Sequence, residues 1–209
     1  MDSATPLVRS TGGELGLRSE IVSHVQSSLA LWYLKLGSEL VFVGDAGTTE
    51  AGRPSQRYGV EWNTRWRPLP WLALDLDLAW NRARFADTAP EGNFIPGAPS
   101  SVISAGLAVD RYGAWSGALF MTYIGSYPLI EDDSVRSRPN TTFDAQIGYA
   151  ITPKVKVRLD VFNIFNAGNN DITYYYTSRL PGEPGQGVAD THFHPGENRS
   201  FRLSLAYSF

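Results

Sequence analysis

His192 and His194 stand two residues apart in His192-Phe193-His194-Pro195, with Asp190 and Glu197 close by. Residues two apart share one face of an extended segment. Imidazole nitrogens and carboxylate oxygens there could converge on a metal or on a ferric ligand. Three ligands from one flexible loop do not fix a coordination geometry, however. The competing expectation is that loop hydrogen bonds and packing against Tyr174, Tyr175 and Tyr176 hold both rings. His24, the third histidine, stands in no motif. Asp75 and Asp77 form a second constellation, since paired carboxylates on one strand face can serve acid and base chemistry. They are equally the ordinary lining of a hydrated wall, which Lys154, Lys156, Arg158, Asp160 and Arg202 would complete with mixed charge. The sequence carries no nucleophile and base pair, zinc-spaced motif, phosphate loop or dinucleotide fingerprint. Zero cysteines exclude thiolate and disulfide sites. No catalytic residue, metal or cofactor is assigned, and no nucleic-acid partner is expected.

The elements that must position these residues are strands. Phe201, Leu203, Leu205, Tyr207 and Phe209 alternate with Arg202, Ser204, Ala206 and Ser208, a period of two with one apolar and one polar face. Val155, Val157, Leu159 and Val161 alternate with Lys154, Lys156, Arg158 and Asp160, and Leu72, Leu74, Leu76 and Leu78 with Ala73, Asp75 and Asp77. The same pattern runs through 58–66 and 143–149. It predicts strands near 14–22, 27–43, 57–67, 71–84, 100–110, 114–125, 141–151, 154–163 and 199–208. The run Leu29 to Leu36 is apolar on both faces, and Gly37-Ser38 marks a bulge or bend within 27–43. A further short strand is expected at Tyr174 to Ser178, inside a loop. Among the 209 residues, 6 Trp, 10 Tyr, 10 Phe, 20 Gly and 13 Pro favour strands and turns over helices. No stretch approaches the 18 or so consecutive apolar residues of a membrane-spanning helix. The mean hydropathy of −0.20 resembles a soluble protein, yet alternating faces in a barrel wall average to the same value.

The connections alternate in length. Residues 23–26, 67–70, 110–113 and 152–153 read as tight turns, whereas 44–56, 86–99, 126–140 and 164–198 are long and rich in Gly, Pro, Asp and Asn. Short periplasmic turns and long extracellular loops characterise outer-membrane barrels. A lipid-facing Arg or Lys near mid-membrane costs about 2–4 kcal/mol, which confines charge to the lumen side. Trp66, Trp71, Trp80, Tyr149, Tyr207 and Phe209, near strand ends, fit interfacial girdles. Period alone would also suit a soluble β-sandwich or a lipocalin-like barrel; the loop asymmetry and the C-terminal Phe favour the membrane wall. The start Met1-Asp2-Ser3-Ala4-Thr5-Pro6 lacks a basic n-region and an apolar h-region. The protein is therefore expected either to stay in the cytosol or to lack its true N-terminus.

From about Gly12 to Phe209 the sequence resembles the C-terminal barrel of TonB-dependent receptors. The carrying stretches are Ser38 to Asp45, Val161-Phe162-Asn163-Ile164-Phe165-Asn166, Tyr174 to Pro184, His192 to Arg199, and the terminal alternation ending in Phe209. One departure is Asn198, where similar sequences carry Pro before the Arg. The resemblance implies an all-β, antiparallel up-and-down transmembrane β-barrel segment, about nine strands of a 22-stranded barrel. Residues 1–11 would be an irregular lead-in left from an extracellular loop, 12–209 the barrel, and the plug absent. It implies a place in the outer membrane of a Gram-negative bacterium and energised uptake of a scarce ligand such as a ferric siderophore. Tyr174, Tyr175, Tyr176, Arg179, His192 and His194 would be loop ligand contacts. Phe201, Leu203, Leu205, Tyr207 and Phe209 would be the signal to the barrel-assembly machinery. The partners implied are outer-membrane lipid, that machinery, an unknown ligand, and TonB through the missing plug only. A small porin-like channel and a barrel enzyme are the rival readings; an enzyme needs Ser and His near one rim of the wall. An odd number of strands cannot close with both termini periplasmic, so the chain is expected to be a fragment, inactive alone.

Overall fold

The computed structural model describes residues 7–20, 22–43 and 48–209, with residues 40–43 and 48–51 described by their backbone alone. Met1 to Pro6 of the expected lead-in, Ile21, and Gly44-Asp45 of the Ser38 to Asp45 stretch lie outside the described residues. Thirteen strands are found among them: β1 (Ser10–Ser19), β2 (Val25–Leu36), β3 (Leu40–Val43), β4 (Thr48–Ala51), β5 (Ser55–Leu69), β6 (Leu72–Phe85), β7 (Ser101–Tyr112), β8 (Trp115–Ile124), β9 (Asn140–Thr152), β10 (Val155–Phe162), β11 (Asn170–Ser178), β12 (Val188–Pro195) and β13 (Ser200–Tyr207). Nine of them form one antiparallel sheet in the order β1-β2-β5-β6-β7-β8-β9-β10-β13. Each wall strand pairs with the next one along the chain, so the sheet is an up-and-down meander. Strands β1 and β13 are its two edges.

Register turns the sequence period into two faces. Across the sheet, Ser28 stands opposite Asn63, Asn63 opposite Asp77, Asp77 opposite Ser104, and Ser104 opposite Thr122. Further on, Gln146 stands opposite Asp160 and Asp160 opposite Arg202. On the other parity Leu29, Trp62, Leu78, Ile103 and Tyr123 make one continuous row, and Ile147, Leu159 and Leu203 another. A hollow of about 850 Å³ opens on the polar face, bordered by Arg18, Ser28, Asn63, Asp75, Gly106 and Phe120 from six adjacent strands. The polar side is therefore the concave one. Leu203 and Leu205, 75% and 74% exposed, lie on the apolar side. So much exposed aliphatic surface is expected where the solvent is lipid, since interior and exterior then exchange their usual polarity.

The polar face is held by cross-strand pairs. Arg65 Nε donates to Asp75 at 2.5 Å and Asn63 Nδ2 to Asp77 at 2.8 Å; along β10, Arg158 Nε donates to Asp160 at 3.1 Å. Asp75 and Asp77 are thus partners of neighbouring strands and not a free carboxylate pair. The indole of Trp32 lies over Gly59, where a Cβ would come within 2.8 Å of the ring and 2.5 Å of the Trp80 carbonyl oxygen. Only glycine fits beneath that ring.

The turns fall within a few residues of their expected places, with β5 running on to Leu69 and β7 to Tyr112, and the first strand is Ser10–Ser19 and not 14–22. The short-turn rim carries aromatic pairs: Trp71 with Tyr112 at 4.8 Å between centroids, Trp115 with Tyr149 at 4.7 Å, and Tyr207 with Phe209 at 5.4 Å. Two expectations need correction. The strand read over 27–43 ends at Leu36, because at Gly37-Ser38 the chain leaves the wall to make the β3–β4 hairpin. The buried carboxylate of Glu39 anchors that departure, accepting from Arg57 at 2.8 Å and from the Ser55 hydroxyl. The short strand near Tyr174 to Ser178 is longer, as β11, and it pairs with an unexpected strand, β12. Strand β12 shows no apolar alternation because it belongs to a loop hairpin outside the wall.

Candidate functional site

The chemistry-bearing residues of the sequence gather on the β11–β12 hairpin, which rises from the long-loop rim between β10 and β13. Register places Tyr174 opposite His192, Tyr176 opposite Asp190 and Ile172 opposite His194, all on one face of the hairpin. Tyr176 and His192 stack with centroids 3.9 Å apart and planes 16° apart. Nε2 of His192 is buried without a hydrogen-bond partner. His194 Nδ1 lies 3.3 Å from the Asp171 carboxylate, both side chains being exposed. Burial raises the Tyr174 phenol above its ordinary value, and nearby Tyr127 adds to the shift. Near the hairpin tip Arg179 Nε donates to the Glu183 carbonyl at 3.4 Å.

The structure therefore brings Tyr174, Tyr176 and His192 together, whereas Tyr175 points to the other face and Arg179 stands apart at the tip. Asp190, His192, His194 and Glu197 do not converge: no group of three potential ligands positioned for a metal occurs among the described residues. The hairpin's base is fixed. Asn169 Nδ2 donates to the Thr141 carbonyl and the Thr142 hydroxyl, both at 2.9 Å; the Thr173 amide donates to the Tyr127 hydroxyl at 3.0 Å, and Asn140 Nδ2 to the Asn170 carbonyl.

Two positioning residues have no chemical signature in the sequence. Asn163, 5% exposed and at φ 49°, donates to the carbonyls of Ala167 and Glu197 at 3.0 Å. Its side-chain oxygen accepts from the Ala167 amide at 2.8 Å, and its own amide donates to Asp144 at 2.8 Å. Asn166 continues the pin by accepting from the Arg199 amide at 2.9 Å. The stretch Val161 to Asn166 thus ties β9, β10 and the entry to β13 at the hairpin's root. Its roles are structural.

Arg53 is the second. Its guanidinium donates to Asp87 at 2.5–2.9 Å, to the Gly92 carbonyl at 2.8 Å and to Glu131, and lies 4.4 Å over the ring of Phe85. One cation so joins three long connections above the buried cluster of Ala83, Phe85 and Ile95. Hydrogen bonding to Arg53 holds the Asp87 carboxyl below the usual aspartate value. Burial pushes Glu131 up, with Arg53 opposing.

A family model described as TonB dependent receptor-like, beta-barrel matches residues 8–164. The pesticin receptor of Yersinia enterocolitica is 28% identical over 175 residues, covering 78% of this chain and 25% of that protein; the pesticin receptor of Yersinia pestis is 27% identical over 175 residues, with the same two coverages. The chain thus spans about a quarter of the length of the curated relatives it matches. Among solved structures, the ferric yersiniabactin uptake receptor of Yersinia pestis superposes with a TM-score of 0.76 at 21% identity, covering 97% of this chain and 30% of that one. The ferric-catecholate import receptor of E. coli K12 gives 0.70 at 18%, covering 97% and 28%. The match extends over most of the wall, and the open nine-stranded meander with its polar concave face is the architecture of such a barrel in part. The chain belongs to the TonB-dependent receptor family, outer-membrane β-barrel proteins of Gram-negative bacteria.

Proposed function

We propose that the chain forms the last nine strands of a 22-stranded receptor barrel that takes up a scarce ligand such as a ferric siderophore, with energy arriving from TonB through a plug that these residues do not include. The observation that carries this reading is the polar concave wall crowned on one rim by the tethered β11–β12 hairpin. Two of the similar solved structures are named for ferric ligands, as a ferric yersiniabactin uptake receptor and a ferric-catecholate import receptor. In this arrangement the residues from Ser10 onward are wall and loops, and the long-loop rim faces the medium. Tyr174, Tyr176 and His192 on one face of the hairpin, with Tyr175, Arg179 and His194 around them, offer phenols, imidazoles and a guanidinium to a chelate of iron. Membrane lipid meets the apolar face. Phe201, Leu203, Leu205, Tyr207 and Phe209 present the alternate apolar residues that the barrel-assembly machinery would read. The test is accumulation of radiolabelled ferric siderophores by cells carrying the intact barrel, with and without residues 172–194. Uptake that requires both this hairpin and an energised TonB supports the reading; passive entry independent of TonB would make the protein a channel.

A further inference from the structure

Arg53, in the short connection between β4 and β5, meets three carboxylates. Its guanidinium pairs with Asp87 through Nε and Nη2, donates from Nη1 to Glu131, and lies 3.6 Å from Glu91. Backbone bonds close the same connections onto one another. The Ala86 amide donates to the Pro54 carbonyl at 2.8 Å, the Phe94 amide to the Glu131 carbonyl at 2.9 Å, and the Gly97 amide to the Pro128 carbonyl at 2.9 Å. At Gly92, φ 113°, a Cβ would meet the Glu131 carbonyl oxygen at 2.2 Å, so residues 126–139 rest directly on 86–99. One cation thus stands among three carboxylates in a closed joint. Asp87 holds its fork, and Glu131 has the least exposed side chain of the three, 30% against 42% for Asp87 and 58% for Glu91.

We propose that this cluster is a proton-operated latch of the long-loop rim, closing more tightly when Glu131 takes up one proton in mild acid and loosening as the medium turns neutral to alkaline. Ionised, Glu131 is partly buried beside two like charges whose counter-ion is already engaged by Asp87; protonated, its carbonyl oxygen still accepts from Arg53 and the repulsion is gone. Among the described residues, the charged side chains facing Glu131 are Arg53 from the β4–β5 connection and Asp87 and Glu91 from 86–99. On its own connection Asp132 accepts from the Ser134 amide, and Asp133 pairs with Arg136. Burial holds the Glu131 carboxyl above the usual glutamate value, with Arg53 opposing and Glu91 and Asp87 adding to the rise. A carboxyl raised in the closed joint binds its proton better there than in the open one. The stability it adds is complete below the ordinary glutamate value and is lost as pH rises through the raised one. Asp87, lowered by its bonds to Arg53, works the other way, and its hold is lost only as pH falls through that lowered value. The joint is therefore tightest in mild acid, where Asp87 is ionised and Glu131 is not. The inference depends on the loop contacts and not on what is transported.

The test is hydrogen exchange read by mass spectrometry on the intact barrel in mild detergent, without ligand, at about pH 4.5 and about pH 7.5. Rates are divided by the intrinsic exchange rate at each pH, so that protection reports opening. Peptides from 86–99 and 126–139 should be several-fold better protected in acid, while wall peptides from β6 and β7 should be equally protected at both. Glu131→Gln, which carries the neutral form at every pH, should lose the difference and keep the higher protection throughout. Asp87→Asn should lower protection at both values. Equal protection of the loop peptides at the two pH values in the unsubstituted barrel, a measurement that requires no variant to fold, would overturn the proposal. Protection that falls on acidification would show that the Arg53–Glu131 attraction outweighs the crowding, and would overturn it as well. So would a difference that persists in Glu131→Gln, or one that the wall peptides share.

Discussion

Asn163 carries more of the hairpin's placement than any of the residues with reactive side chains. Its carboxamide uses both donors and its acceptor, at a positive φ that asparagine tolerates better than most residues. Asn163→Ala leaves the carbonyls of Ala167 and Glu197 and the Ala167 amide short of a partner in a buried place, which costs about 1–3 kcal/mol. The expected result is a lower urea midpoint for the intact barrel and faster proteolysis within 164–198. His192→Ala and His194→Ala should leave that midpoint unchanged, because the first loses one ring stack and the second one exposed contact with Asp171. A selective loss of siderophore binding in those two variants would show that the rings are ligand contacts. Residue types alone marked the hairpin as chemically rich, and the stretch around Asn163 as part of a family resemblance. They could not mark Asn163 as a pin, because its partner Glu197 is remote in sequence and no local pattern connects the two.

Strands were legible where lipid imposes a pattern on them. A wall strand presents one face to hydrocarbon and one to a hydrated interior, so alternation is written into most of them, β2 with its run Leu29 to Leu36 being the exception, and the short turns fix the register of the strands they join. The hairpins β3–β4 and β11–β12 belong to the loops; nothing forces their residues to alternate, and β12, Val188-Ala189-Asp190-Thr191-His192-Phe193-His194-Pro195, reads as loop. The parity makes a sharp expectation. Leu159→Arg, on the lipid face in mid-strand, should destabilise the folded barrel by about 2–4 kcal/mol, while Ser204→Arg on the concave face of the neighbouring strand should be nearly neutral; denaturant titration in vesicles measures both. Loops have their own tie in Arg53. Arg53→Gln removes the charge and the guanidinium fork that Asp87 and Glu131 share. Trypsin and chymotrypsin should then cut 86–99 and 126–139 sooner, with the wall intact; unchanged cleavage would show that Phe85 and Ile95 hold those loops without the cation.

The wall built by the described residues is an open sheet, and that decides how these residues would behave by themselves. Phe209 lies just past the last wall strand, edge-on to Tyr207 in the aromatic rim, and Phe209→Asp in the intact barrel should lower the amount assembled in the outer membrane, measured as heat-modifiable protein. The edges matter more. Strands β1 and β13 each have a neighbour on one side only, and an edge strand of ten residues leaves about five amides and five carbonyls unpaired, each costing several kcal/mol in hydrocarbon. Two such edges amount to roughly tens of kcal/mol, far beyond the 5–15 kcal/mol of net stability typical of a folded domain. The 209-residue chain produced alone should therefore seek partner strands and form β-rich oligomers or aggregates in detergent. Without a closed wall it should neither conduct nor take up ligand when refolded into vesicles. Single-channel recording and siderophore flux into those vesicles test this together. A discrete heat-modifiable monomer with steady conductance would mean that β1 and β13 can meet, and that these residues close a small channel of their own.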